Sequence, residues 1–156
     1  DLPDGGKTEP ADGLVMAAAG LRRVGLADRI SHVFEVGEIL PAATQGIVVV
    51  ECAAADWPTR QRLTAINDTA SQTAAEAERE VLWVLDGHCN SPIAAYAEAQ
   101  GERLRLTAEV LDLAGESVLR AQADGGVDAP RSLGRGVALD LIAQGAADII
   151  ARTRPR

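Results

Sequence analysis

The chain has 156 residues, of which 47% are hydrophobic and 24% are charged, so it can bury the core of one good-sized domain or of one small domain plus part of another. Aromatic residues make up only 3%, so that core must be aliphatic. The formal net charge of −8 argues against a general nucleic-acid binder and against docking on anionic membranes, because both need clustered positive charge. It leaves room for a local basic pocket that holds a small anionic ligand.

The first part of the chain reads as a piece of an α/β domain, which we place at residues 1–55. Residues 1–13 are rich in Gly, Pro and Asp and predict a loop or a frayed end. Two apolar runs, residues 14–17 and 47–51, predict strands that are buried on both faces of a sheet. Gly20 marks a joint between the first of these strands and a short helix.

Two helices are predicted next, over residues 56–67 and 70–86. Thr69 and Gln72 have capping-box spacing at the start of the second helix. Apolar residues then repeat at helical spacing, and Gly87 is a natural stop.

After Pro92 the apolar period changes from helical to alternating, which predicts an antiparallel meander. Its three strands are expected at residues 92–99, 103–112 and 117–123. A last amphipathic helix is predicted over residues 130–152. The fold class is therefore α+β: a C-terminal three-stranded antiparallel sheet covered by helices on one face, preceded by part of an α/β domain. We take 56–68 as a helical connection and 69–156 as the α+β domain.

The two cysteines, Cys52 and Cys89, do not make a disulfide framework. With two scattered histidines they also fall short of the clustered ligands of a zinc site, so no metal is expected. No apolar run approaches the roughly 20 residues of a membrane span, and no secretory signal pattern is present. These features favour a reducing, cytoplasmic setting.

Cys89 lies in a polar loop between Gly87 and Pro92, flanked by His88 and Asn90. A free cysteine is often a packed core residue, whereas loops carry functional groups. A polar neighbour eases ionisation of a thiol, but a helix C-terminus opposes it. Local reasoning therefore leaves both interpretations open. Cys52 directly follows an apolar run and is expected to pack.

Basic and polar candidates lie elsewhere in the chain. Arg22 and Arg23 are either a solvated pair or include one guanidinium that binds a carboxylate or phosphate. The turn of residues 44–46 either simply feeds a strand or offers backbone N–H groups to a ligand. Glu78 and Arg79 are expected to be a surface pair, with capping of the cysteine loop by Arg79 as the alternative.

Several segments resemble porphobilinogen deaminase, also called hydroxymethylbilane synthase. AAAGLRRVGL at residues 17–26 is similar to its AAAGL(K/R)RLGL segment, and LPAATQG at 40–46 to its LPAxGQG turn. Glu78-Arg79 followed by LDGHCNSPIA at 85–94 resembles its ER…LxGGCxxPIA signature. Residues 133–150 resemble its final helix. The resemblance covers roughly residues 12–152, with the motifs in the same order.

The resemblance implies a transferase that condenses four porphobilinogen units head to tail in tetrapyrrole (heme and chlorophyll) biosynthesis. In that family a cysteine carries a dipyrromethane primer through a thioether. Loss of ammonia from porphobilinogen leaves an electrophilic methylene-pyrrole, which a soft sulfur nucleophile captures. Carried over by residue, Cys89 is the attachment point, Arg23 matches a cleft arginine and Arg22 the more variable position before it. Ala19 and Gln45 match cleft-lining positions.

Two departures from the family pattern bear on these expectations. His88 stands where a tiny residue is usual, so its side chain either crowds the cofactor, alters the loop or is tolerated, with tuning of the thiol as the less favoured alternative. The first domain, with the family's catalytic aspartate, has no counterpart, so no catalytic residue is expected in this chain. We expect a C-terminal fragment that is inactive alone and whose exposed apolar faces can drive self-association, although the family is usually monomeric.

The expected partners are porphobilinogen, the growing pyrrole chain and the missing N-terminal portion, with no nucleic acid and no membrane. Two other readings stay open. One is a non-catalytic α+β binding module with an unmodified cysteine. The other is half of a split enzyme that reassembles with a separate N-terminal chain.

Overall fold

The computed structural model describes residues 12–154. The chain divides into two compact units at the junction between Glu35 and Val36. In the first unit, helix α1 spans Ala18–Arg23 and a 3₁₀ turn spans Ala27–Arg29. The short helix expected after Gly20 is therefore present, although it already includes Gly20.

The two strands predicted at residues 14–17 and 47–51 are wrong: both segments are irregular. Their apolar side chains are also not buried, since Leu14 is 79% exposed and Val48 is 89% exposed. The reason is that β-branched residues only favour a strand locally, whereas a strand exists through the ladder it forms with a neighbour. Neither segment has a ladder partner among the described residues.

Three helical segments open the structured part of the second unit. Helix α2 spans Trp57–Leu63, a 3₁₀ turn spans Thr64–Ile66 and helix α3 spans Thr69–Val84, as the periodicity predicts. The expected capping box is wrong, because the N-cap of α3 is Asp68, whose carboxylate accepts the backbone N–H of Ser71 at 2.7 Å. Asp is as good an N-cap as Thr, and its charge suits the positive end of the helix.

The predicted meander is confirmed. Strands β1 (Ile93–Gln100), β2 (Arg103–Leu111) and β3 (Val118–Gly126) form one antiparallel sheet in the order β1-β2-β3. Ile93 pairs with Val110 across the first ladder, and Leu106 pairs with Ala123 across the second. The alternation of β2 works as expected, since its apolar residues are fully buried: Leu104, Leu106, Ala108 and Val110.

The long helix predicted over residues 130–152 is two helices. Helix α4 spans Pro130–Ala143 and helix α5 spans Ala146–Arg152. The break falls at Gly145, whose φ of 104° lies in the left-handed region that glycine adopts readily. Both helices still bury apolar residues in the core that the sheet shares with α3.

Helices α3 and α4 pack against each other and against the sheet, so the helices cover one face of it. The other face carries cross-strand ion pairs, Arg105 with Asp124 and Arg120 with Glu109. This is the α+β arrangement that the sequence predicts. No helix in the described part of the chain combines the length and the apolar character that crossing a bilayer requires.

Hydrogen exchange should separate the two parts of the chain. We expect the amides of residues 69–152 to be protected more strongly than those of residues 14–51, because the latter contain few regular elements and expose most of their large apolar side chains. The measurement is native-state exchange read by NMR or mass spectrometry. Protection in residues 14–51 that equals or exceeds that of residues 69–152 would contradict this expectation.

Candidate functional site

The loop that carries Cys89 begins with a sharp reversal at the end of α3. Asp86 takes the left-handed conformation, with φ of 52°, and its N–H donates to the carbonyl of Trp83 at 3.2 Å. The N–H of Gly87 donates to the carbonyl of Leu82 at 2.9 Å. This is the usual pattern of a helix C-terminus, but the left-handed residue is Asp86 and not the expected Gly87.

Gly87 is needed for space instead. A Cβ at this position would lie 2.9 Å from Cδ1 of Ile93 and close to the carbonyl of Leu82. The chain therefore passes tightly between α3 and the start of β1, and the residues that follow emerge at the surface.

A compact turn then presents Cys89. The backbone N–H of His88 donates to Oγ of Ser91 at 2.9 Å, and the N–H of Ser91 returns to the carbonyl of His88 at 2.9 Å. The N–H of Asn90 donates to Nδ1 of His88 at 3.2 Å. Cys89 is exposed and its thiol is free. Of the two interpretations that local reasoning leaves open, the packed core thiol does not fit this placement.

The second cysteine has a different environment. Cys52, expected to pack, is half-buried and is not part of the hydrophobic core. Within residues 12–154, no three His, Cys, Asp or Glu side chains come together as a metal-binding group would require.

Glu78 is the residue that sequence reasoning missed. It is only 4% exposed, so the expectation of a surface pair with Arg79 is wrong for Glu78. Its Oε1 accepts the backbone N–H of Ala97 on β1 at 2.7 Å, and its Oε2 accepts the N–H of Thr44 at 2.5 Å. Burial raises the pKa of this carboxyl, and the two N–H donors partly offset that rise. Helical spacing could have found it, because residue 78 lies one turn before Leu82 and one turn after Ala74 on the buried side of α3.

Arg79 lies on the exposed side of α3, and no hydrogen bond joins it to the cysteine loop in the described chain. The capping role considered for it is therefore absent from the structure.

Through Glu78, helix α3 also holds the turn of residues 44–46. Thr44 and Gly46 both have positive φ, at 61° and 85°. The N–H of Thr44 binds Glu78, and the N–H of Gln45 donates to the carbonyl of Ala42 at 3.0 Å. These two amides are already used inside the protein, so they do not contact a ligand. The side chain of Gln45 is exposed and remains available.

The remaining candidates belong to the first unit. Ala19, Arg22 and Arg23 lie on α1 and are all exposed. Both arginines lie in the last turn of the helix, where a cation interacts favourably with the partial negative charge of the free carbonyls. The structure thus presents two neighbouring guanidinium groups to solvent.

Two family models match the chain. Residues 4–61 match the model described as "Porphobilinogen deaminase, dipyromethane cofactor binding domain", and residues 72–143 match "Porphobilinogen deaminase, C-terminal domain". Cys89 falls within the second match.

Curated relatives agree with these models. A porphobilinogen deaminase of Acidithiobacillus ferrooxidans is 42% identical over 143 residues, covering 92% of this chain and 46% of the relative. Those of Desulforamulus reducens and Thermobifida fusca are 40% and 42% identical over 147 and 149 residues, covering 94% and 90% of this chain and 48% and 47% of the relatives. The chain spans about half the length of the curated relatives it matches. It belongs to the porphobilinogen deaminase family.

Proposed function

We propose that this chain carries the cofactor anchor of a hydroxymethylbilane synthase, with Cys89 as the point of attachment. The single observation that carries the proposal is the exposed free thiol of Cys89, held at the surface by an ordered turn in a chain of this family. A packed or disulfide-bonded cysteine could not serve. The reducing cytoplasm expected from the sequence would keep the thiol free.

The donor chemistry fits a dipyrromethane group. Once the thiol has released its proton, the thiolate is a soft nucleophile that donates an electron pair to an electrophilic methylene carbon and forms a C–S bond, so that overall the S–H bond is replaced by a C–S bond. When bound, the group supplies the free pyrrole end on which the tetrapyrrole is built. The role of this chain is to hold that group covalently at a site that solvent and substrate can reach.

Binding of the acidic substituents is proposed for α1 and for Gln45. Each pyrrole of porphobilinogen bears acetate and propionate groups, and a planar guanidinium binds a carboxylate through two hydrogen bonds. The exposed guanidinium groups of Arg22 and Arg23 supply that chemistry, with Arg23 the stronger candidate from the resemblance. Ala19 on α1 and, in the second unit, the side-chain amide of Gln45 are proposed as further, uncharged binding positions. Two neighbouring guanidinium groups set a positive field at α1 whatever the net charge of the protein.

We also propose that the chain turns over substrate only with an N-terminal portion such as its relatives possess. Residues 46–50 line an open cleft of about 530 Å³ together with residues of α2 and α3. Val49 and Val50, in that segment, are 68% and 57% exposed. Exposed apolar segments of this kind are typical of surfaces that another part of a protein covers. The proposed organisation remains residues 1–55, 56–68 and 69–156; the two matched models cover residues 4–61 and 72–143.

Reconstitution tests this proposal. The chain alone should convert no porphobilinogen to hydroxymethylbilane, and adding the N-terminal portion of the Acidithiobacillus ferrooxidans relative, cut where the match begins, should produce turnover. Substrate consumption and product absorbance are the measurements. A mixture that shows no gain in activity over either part would count against the proposal.

Matched variants make the same assay specific. Cys89→Ser should abolish the turnover of the mixture, and Arg23→Ala should lower it about tenfold or more, because a charge-assisted hydrogen bond contributes about 1.5–3 kcal/mol. Arg29→Ala is the control, since Arg29 belongs to the same unit but to none of the matched motifs.

A further inference from the structure

We propose that His88 is a positioning residue, which fixes the turn that carries Cys89 to Thr153, the residue that caps the C-terminus of helix α5. We call this pair the His88–Thr153 latch. That the turn carries a cofactor rests on the proposed function, whereas the latch rests only on hydrogen bonds between described residues.

The hydrogen bonds of the imidazole define its tautomer. The backbone N–H of Asn90 donates to Nδ1 at 3.2 Å, so Nδ1 has no proton and the proton of the neutral ring is on Nε2. Nε2 lies 3.2 Å from Oγ1 of Thr153. The hydroxyl of Thr153 donates to the carbonyl of Ile150 at 2.7 Å, which leaves its oxygen free to accept from Nε2–H. Each donor in this series of hydrogen bonds therefore has one acceptor. The series connects the cysteine turn to α5.

The far end of the latch is firmly held. Ile149 and Ile150 of α5 are 7% and 2% exposed and belong to the hydrophobic core. A second link joins the same regions, an ion pair between Arg154 and Asp86, but both side chains are largely exposed and such pairs contribute little. The partly buried His88–Thr153 bond is therefore the stronger connection.

The near end of the latch adjoins the thiol. His88 directly precedes Cys89, and its backbone N–H and C=O both bond to Ser91. Fixing the ring thus fixes both ends of the turn on which the thiol stands. A glycine or alanine at position 88 would leave the Asn90 N–H and the Thr153 hydroxyl without this partner. The side chain of His88 therefore stabilises the cysteine turn and lies between this turn and α5.

Two matched pairs of variants test the latch. Thr153→Ser keeps the hydroxyl, whereas Thr153→Val keeps the shape without it. His88→Gln places an amide N–H near the position of Nε2 and keeps the bond to Thr153, whereas His88→Asn keeps an acceptor for the Asn90 N–H but is too short to reach Thr153. The reporter is hydrogen exchange of the Ser91 amide, whose acceptor is the His88 carbonyl in every variant.

We expect Thr153→Val and His88→Asn to speed exchange of the Ser91 amide about three- to tenfold, as the loss of one hydrogen bond implies. Thr153→Ser and His88→Gln should stay within about twofold of the wild-type rate. The ¹⁵N chemical shifts of the His88 ring should show the proton on Nε2 in the wild type. Wild-type exchange at Ser91 in Thr153→Val, or a proton on Nδ1, would overturn the proposal.

Alkylation by iodoacetamide links the latch to the thiol. Peptide mass mapping resolves Cys89 from Cys52. The alkylation rate constant of Cys89 should differ from the wild-type value in Thr153→Val and His88→Asn and equal the wild-type value in Thr153→Ser. Equal rates at Cys89 in all four variants would contradict a positioning role. None of these measurements needs the cofactor. Absence of an adduct on Cys89 would therefore contradict the proposed function and leave the latch intact. Equal rates of Ser91 exchange and Cys89 alkylation in all variants would contradict the latch and leave the proposed function intact.

Discussion

Replacing Glu78 by alanine should lower the free energy of unfolding by about 2–4 kcal/mol. The carboxylate satisfies two backbone N–H groups, those of Ala97 and Thr44, and each donor left unpaired in a buried place costs about 1–3 kcal/mol. The turn of residues 44–46 should also exchange its amides faster, because the Thr44 bond ties it to α3. Chemical denaturation with hydrogen exchange measures both effects.

Two controls make this expectation specific. Glu76→Ala, on the same helix, removes the surface ion pair with Arg131 and an exposed hydrogen bond from Gln72, and should cost less than about 1 kcal/mol. Glu78→Gln keeps one acceptor, so its loss of unfolding free energy should lie between those of Glu78→Ala and Glu76→Ala. A loss of unfolding free energy in Glu78→Ala no larger than that in Glu76→Ala would contradict a bridging role for the Glu78 carboxylate.

The pH dependence of the same variants follows from the raised pKa of Glu78. The folded state binds this proton more tightly than the unfolded state, so its contribution to stability is full below the unfolded pKa and is lost as pH rises through the folded pKa. The wild type should therefore lose stability relative to Glu78→Gln as the pH rises from the unfolded-state pKa of Glu78 to its folded-state pKa. A difference in unfolding free energy between the two proteins that stays constant over this pH range would contradict the raised pKa.

Replacing Gly134 by alanine should destabilise the protein by about 2–3 kcal/mol, because the added Cβ overpacks the crossing of α3 and α4. That Cβ would collide with the backbone carbonyl of Ala77 and lie 2.8 Å from Cβ of Glu80. A backbone carbonyl in a packed helix cannot move aside as a flexible side chain can, so the two helices must separate.

Gly136 provides the matched control in the same helix. Nothing lies within 4 Å of a Cβ at this position, so Gly136→Ala should stabilise the protein by about 0.5–1 kcal/mol through helix propensity. Denaturant midpoints of the two variants, compared at equal m-value, are the measurement. A Gly134→Ala variant as stable as Gly136→Ala would show that the helices do not approach so closely.

The sequence predicts the sheet and most helices because their signals are local. The alternation in β2 and the helical period in α3 are each complete within one element, and the register follows from short turns between strands. The two strands expected at residues 14–17 and 47–51 fail for the opposite reason. A run such as Ile47–Val50 has strand propensity by itself, but the ladder that would make it a strand depends on a partner elsewhere.

The candidate site divides in the same way. Gly87 and Pro92 lie close to Cys89 in the sequence and predict a loop there, but local reasoning leaves open whether its thiol packs or is exposed. The contacts of His88 and Glu78 are not accessible to such reasoning. His88 meets Thr153, 65 positions away, and Glu78 meets Thr44, 34 positions away. Both contacts depend on tertiary packing.

The intact mass of the chain, followed by peptide mapping, shows whether Cys89 anchors a dipyrromethane group. The chain is expressed together with a complete porphobilinogen deaminase and supplied with porphobilinogen. We expect an added mass of two linked pyrroles on the peptide that contains Cys89, retained in Cys52→Ser and absent in Cys89→Ser. An unmodified Cys89 under these conditions, or an adduct that persists in Cys89→Ser, would contradict an anchoring role for Cys89.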